Sequence, residues 1–227
     1  MLGILMLDTR FPRIAGDIGH PATFPFPVRR RIVRGASPRR VVVDCDAALL
    51  GPFIDAGRAL IAEGATALTT SCGFLVMFQR ELQEALPVPV WTSSLLLLAE
   101  LNAALGPGRV AGIVTVDAAS LTAAHLAAAG APLDTPIEGL AASSAFRRTL
   151  LNDEVGLDIA AARADTVDAA LGLIARRADV AVIVLECTNM PPYATDVAAA
   201  TGRPVHDITT LLGGRHAVML GAEGTSR

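Results

Sequence analysis

Along the chain, short runs of Val, Ile, Leu and Ala with little polar interruption alternate with longer stretches in which apolar residues recur every three or four positions. The short runs predict strands at residues 4–7, 41–43, 65–70, 88–91, 110–115, 180–185 and 204–206. The longer stretches predict helices over 51–63, 75–85, 94–105, 120–129, 159–177 and 192–199. Strands that are apolar on both faces, alternating with helices, specify a parallel sheet covered on either side, and so an α/β fold.

The two halves repeat one another. Asp55-Ala56 followed by Leu60-Ile61-Ala62 has a counterpart in Asp168-Ala169 followed by Leu173-Ile174-Ala175. Gly3-Ile4-Leu5-Met6 is matched by Gly112-Ile113-Val114-Thr115. A strand leading to Cys72 matches one leading to Cys187, and a Pro-Val pair lies 17 residues beyond each cysteine, at Pro89-Val90 and Pro204-Val205. Each match alone is weak in an Ala/Val/Leu-rich chain. In one order, they indicate two similar parallel-sheet lobes related by a pseudo-twofold axis. The expected division is residues 1–95 with 207–227 as the N-terminal lobe and 96–206 as the C-terminal lobe. Ligands of open parallel sheets bind at the carboxyl ends of the strands, so the duplication predicts a cleft with Cys72 on one wall and Cys187 on the other.

Composition narrows the picture. The chain is 52% hydrophobic, yet no apolar run approaches the roughly 20 residues of a membrane span. Asp8 and Arg10 interrupt the apolar N-terminus too early for a signal peptide. A cytoplasmic protein is therefore expected. Nineteen Lys+Arg against 22 Asp+Glu gives no reason to expect a nucleic-acid or membrane-surface partner, and the cluster Arg29-Arg30-Arg31 reads as a solvated loop or strand edge. Three cysteines with no CxxC spacing suggest neither a disulfide framework nor a zinc site. The Ala/Leu-rich outer helices leave room for a homodimer.

Cysteine suits the movement of a proton on and off a weakly acidic carbon. Its ordinary pKa of about 8.5 lets a tuned pair hold one thiolate and one thiol. A thiolate is favoured at a helix N-terminus, where both cysteines are expected, and Pro191-Pro192 fits a helix opening after Cys187. Thr70, Ser71, Thr115, Thr188 and Asn189 are placed to stabilise an enolate-like intermediate. No metal, pyridoxal or other cofactor is needed. A single cysteine in an apolar stretch is more often a small buried hydrophobe; equivalent placement in two repeats raises the functional reading above that one. Cys45 has no partner and is read as structural. Asp8 orients a substrate amine or caps a turn. Arg10 and Arg13 clamp a carboxylate or sit on an exposed loop. Glu186 tunes the adjacent thiol or faces away along its strand. The four histidines lack metal-ligand spacing, and no phosphate-binding glycine loop follows a strand.

Thr70-Ser71-Cys72-Gly73 and Glu186-Cys187-Thr188-Asn189-Met190-Pro191 resemble motifs of the cofactor-independent aspartate/glutamate racemase superfamily, which also holds hydantoin racemases, maleate cis-trans isomerases and arylmalonate decarboxylases. The resemblance implies two flavodoxin-like lobes with the active site between them and Cys72 and Cys187 as the acid/base pair. It implies Asp8, Thr188 and Asn189 as substrate contacts, and Thr70 and Ser71 more loosely. The chain departs from that pattern at Cys72-Gly73-Phe74, where many members carry Cys-Asn-Thr, so Gly73 and Phe74 are expected to shape a more apolar pocket. The opening Leu7-Asp8-Thr9-Arg10-Phe11-Pro12 also replaces a Gly/Ser-rich loop. The expected function is a racemase or epimerase inverting a carbon next to a carboxylate or carbonyl of a small acid. The alternatives are a maleate-type isomerase with Cys72 as nucleophile, and a non-catalytic small-acid-binding protein.

Overall fold

A computed structural model describes residues 1–224. The expected N-terminal lobe runs to residue 227, so its last three positions lie outside the described residues. Two four-stranded, wholly parallel sheets carry the same order. The first is β2-β1-β3-β4, built from β1 (Leu2–Leu7), β2 (Val28–Val33), β3 (Ala67–Thr70) and β4 (Val90–Trp91). The second is β6-β5-β7-β8, built from β5 (Val110–Thr115), β6 (Ile137–Gly139), β7 (Val180–Leu185) and β8 (Val205–His206). The common order is that of the flavodoxin-like doubly wound fold, and the duplication read in the sequence is a duplication of architecture. The helices are α1 (Leu50–Ala62), α2 (Gln79–Ala85), α3 (Leu98–Ala104), α4 (Ala123–Ala128), α5 (Ala145–Leu151), α6 (Ile159–Arg176), α7 (Ala194–Thr201) and α8 (Ile208–Gly224).

Apolar patterning explains the layers. Every residue of β1 is buried. Leu5 and Leu7 face the main core, while Leu2, Ile4 and Met6 meet Ile208, Leu211 and Leu212 of α8 on the other face. The main core runs without a break from Leu68 of β3 to Ile113 of β5 and Val184 of β7, so the lobes share one apolar interior. The matched glycines have a common cause. A Cβ on Gly3 would stand 2.6 Å from Leu68 and 3.1 Å from Leu60 of α1, and one on Gly112 would stand 2.9 Å from Leu173 of α6. Leu60 and Leu173 are themselves a matched pair, so each lobe uses the same close approach of helix to central strand.

One expected strand is corrected, and four elements were not among those expected. Residues 41–43 are not a strand: Arg39–Val43 forms a helical turn directly after Pro38, and Val41 and Val42 are buried on it. The second strand is Val28–Val33, within the arginine cluster, with Arg29 and Arg31 ion-paired to Glu63. It is an outer strand, and charged side chains suit an edge. The short β6 and α5, and α8 at the end of the chain, carried too little periodicity to be read. Among the described residues no helix is long and apolar enough to cross a membrane.

Candidate active site

Cys72 and Cys187 occupy equivalent places, two residues past the ends of β3 and β7. Cys72 is extended (φ −155°, ψ 121°) and opens the 3-10 turn Gly73–Phe78. The backbone N–H groups of Phe74 and Leu75 point back at its thiol. Asn189 presents its backbone N–H to Cys187, whose thiol donates to Asn189 Oδ1 at 3.5 Å. Hydrogen bonds across the lobes hold the two turns together: Thr188 Oγ1 donates to the Ser71 carbonyl at 2.7 Å, and Ser94 Oγ to the Leu185 carbonyl at 2.8 Å.

Both thiols line one cavity. Its wall is mostly apolar, from Leu7, Phe11, Val42, Phe74, Val116 and Leu150, and Ser71, Gly73, Glu186, Thr188 and Asn189 also line it. Cys187 is buried and Cys72 half-buried.

Of the other positions singled out in the sequence, several stand behind the wall rather than on it. Thr70 is buried and its hydroxyl serves the carbonyls of Thr92 (2.7 Å) and Cys72 (2.9 Å), which fixes the turn. Thr115 is buried and donates to Glu186 Oε2 at 2.7 Å. Asp8 and Arg10 are not brought to the cavity. The Asp8 carboxylate accepts from the Gly35 N–H at 3.1 Å and pairs with Arg34, while Arg10 is exposed and bonded to Asp153. Both hold loops in place.

Glu186 is the residue whose role the sequence left open. Its side chain turns inward, and the residue is only 1% exposed. One carboxylate oxygen takes the Thr115 hydroxyl, and the other, Oε1, is buried with no hydrogen-bond partner. Burial pushes its pKa up to about 7, against the smaller lowering effect of Thr115. The sequence signal was a carboxylate closing an otherwise unbroken apolar strand, a position rarely charged without a purpose. Arg13 and Asp17 were also under-read. They form a part-buried ion pair at 2.9 Å, and Asp17 also accepts from Asn189 Nδ2 at 2.5 Å.

This electrostatic setting alters one expectation. Both thiols are raised above the ordinary range, first by burial and then by the Glu186 charge. The Phe74 and Leu75 N–H groups and Arg13 act to lower Cys72; the Asn189 N–H lowers Cys187, whereas Asp17 and Cys72 itself raise it. These directions favour two neutral thiols over a thiolate–thiol pair, and they leave Glu186 as the group that ionises first. Gly73 is fixed by the same group, because a Cβ there would lie 2.2 Å from Glu186 Oε1 and 2.5 Å from the Glu186 carbonyl. Gly73→Ala is accordingly expected to destabilise the fold by ~1–3 kcal/mol as an overpacking change. Chemical denaturation checks this, and an unchanged midpoint would show that the contact relaxes.

No protein-family model matches the chain. Curated relatives do. The chain is 33% identical over 218 residues to "Dimethylsulfoniopropionate lyase" of Durusdinium sp. clade D, covering 91% of this chain and 70% of that protein. It is 30% identical to "Dimethylsulfoniopropionate lyase 7" and to "Dimethylsulfoniopropionate lyase 3" of Emiliania huxleyi, spanning 64% and 57% of their lengths. Among solved structures, allantoin racemase from Klebsiella pneumoniae superposes with a TM-score of 0.66 at 14% identity, covering 97% of this chain and 89% of that one. A Gly-to-Cys mutant of arylmalonate decarboxylase, in a sulfate-associated form, gives 0.64 at 19%, covering 98% and 94%. Glutamate racemase RacE1 from Bacillus anthracis gives 0.58 at 15%, covering 98% and 82%. At these identities the structures establish the fold alone.

The isomerase reading, racemase or maleate-type, and the non-catalytic alternative are overturned by the sequence relatives, which are named as lyases. The physical reason is that racemisation and elimination can begin with the same proton transfer from a carbon beside a carboxylate, so a pair of cysteines does not by itself set the reaction type. The chain shares the two-lobe fold of allantoin racemase, glutamate racemase and arylmalonate decarboxylase, and it belongs to the family of the dimethylsulfoniopropionate lyases.

Proposed function

We propose that this protein is a lyase that splits dimethylsulfoniopropionate, or a close β-sulfonium carboxylate, into dimethyl sulfide and an α,β-unsaturated acid. Its 33% identity to a lyase of that name carries the reading, and the cavity supplies the means. A thiolate takes a proton from the carbon next to the carboxylate. The C–H electron pair becomes the C=C bond, and the β-carbon–sulfur bond breaks with its pair going to sulfur. Dimethyl sulfide departs neutral and needs no acid. One base therefore suffices, unlike inversion of a stereocentre, which needs a donor on the opposite face.

Cys72 is the thiol with the better support for charge, having two N–H groups and Arg13 on its side. The Cys187 thiol is donated to Asn189 Oδ1 and faces the Asp17 charge, which keeps it neutral. Glu186, ionised above about pH 7, is the carboxylate in the cavity that receives the Cys72 proton, so that the one negative charge passes between Glu186 and Cys72. The apolar wall excludes water from the carbanion and from the sulfonium carbon, where hydrolysis would compete. Three cysteines, all free, suit a reducing cytoplasm.

Headspace chromatography of the purified protein with dimethylsulfoniopropionate tests the reading. Dimethyl sulfide and acrylate are expected in equal amounts. Neither product appearing with correctly folded protein would overturn it.

A further inference from the structure

Beside the cavity lies a second, narrower hollow, which shares Phe11, Leu150 and Asn189 with the first. Three aromatic rings line it, Phe11, Phe146 and Tyr193, with the last two packed edge-to-face at 5.6 Å between centroids. Asp17 lines it as well, with a side chain only 4% exposed. The Tyr193 residue is 1% exposed, and its hydroxyl oxygen has no hydrogen-bond partner. Leaving a buried hydroxyl unpaired is unfavourable, so the fold holds it against its own stability. Burial also pushes the phenol up to about 12, which keeps it neutral.

The occupant that fits is set by these groups. An anion would meet the Asp17 carboxylate. A neutral apolar group would leave the Tyr193 hydroxyl unpaired and set hydrocarbon against the Asp17 charge. A cation sheathed in methyl groups satisfies all of them: its methyls contact the rings, its charge meets the ring faces and the carboxylate, and the Tyr193 oxygen turns a lone pair towards it. Arg13, which lies over the Phe11 ring at 4.9 Å and pairs with Asp17, is not among the lining residues, so no side-chain cation occupies the hollow.

We infer that this hollow, framed by Phe11, Phe146, Tyr193 and Asp17, is a subsite for a methylated onium group, the dimethylsulfonium end of the substrate. The inference rests on the lyase reading for the identity of that group, and on the hollow itself for its chemistry. Asn189 links the two chambers, accepting from the Cys187 thiol at 3.5 Å and donating to Asp17 at 2.5 Å. A cation lodged against Asp17 is thus one side chain away from the thiols, which suits a substrate whose charged ends are separated by two carbons.

Calorimetric titration with two carboxylates of nearly equal shape tests this on the whole protein: 3-(trimethylammonio)propionate, whose far end is a methylated cation, and 4,4-dimethylpentanoate, whose far end is an uncharged tert-butyl group. The onium probe is expected to bind at least tenfold tighter, and Phe146→Leu and Tyr193→Leu are each expected to reduce the ratio to threefold or less. Equal binding by the unaltered protein, or variants that fold and keep the full ratio, would overturn the subsite. The wild-type comparison stands even if a variant fails to fold. Cation preference without cleavage of dimethylsulfoniopropionate would refute the lyase reading and keep the subsite; cleavage without preference would do the reverse.

Discussion

Cys72→Ser is expected to lower dimethyl sulfide release by about 10²–10⁴-fold, the usual worth of a positioned general base. A serine hydroxyl occupies the same corner and accepts the same Phe74 and Leu75 N–H groups, but it does not ionise in the accessible pH range. The loss should therefore fall on turnover, with little change in substrate affinity. Cys187→Ser is expected to lose less, because its proton is held against Asn189 and the elimination does not draw on it. The double variant should be no worse than Cys72→Ser alone, as groups sharing one charge are not additive. Initial rates of the three variants, with circular dichroism to confirm folding, decide the matter. A larger loss at Cys187 would reverse the assignment of the base.

Glu186→Gln is expected to change both activity and stability, each with a defined dependence on pH. In the native protein, activity should rise through about pH 7 as Glu186 ionises and becomes able to take the Cys72 proton. Glutamine keeps the Thr115 hydrogen bond and loses the acceptor, so the rising limb should move into the alkaline range set by the thiol. For stability, the sign follows from a carboxyl raised from 4.5 to about 7 on folding. The native state binds more protons than the unfolded chain between those values, so stability is greatest below pH 4.5 and falls as pH rises to 7. At 1.36 kcal/mol per unit the fall is about 3 kcal/mol. Urea titrations at several pH values should show this slope in the wild type and its absence in the variant. An identical slope in both would place the titration elsewhere.

How much of this was legible in the sequence depended on what each residue type can mean locally. The repeat was readable because it is carried by spacing. Gly3 and Gly112, and Leu60 and Leu173, recur in order since each lobe presses one helix onto its central strand. The cysteine pair followed from that repeat. The second strand escaped because Val28–Val33 carries three arginines, whose charges at a sheet edge erase the apolar signal that Val41-Val42-Val43 imitates. Site residues divided along the same line. Ser71, Thr188 and Asn189 flank the thiols in sequence and so line the cavity, whereas Asp8 and Arg10 sit on a loop whose path local pattern does not set. Asp17 and Tyr193 come from distant segments and meet only through the fold. The reaction type was the least accessible, since racemisation and elimination begin with the same proton transfer to the same kind of base.

That shared first step is also where the account is most exposed. Dimethylsulfoniopropionate bearing two deuterons on the carbon beside the carboxylate should yield acrylate with one deuteron left at that carbon, and should react more slowly than the unlabelled compound. A saturated product keeping both deuterons would mean that the thiols remove no proton, and would contradict the account.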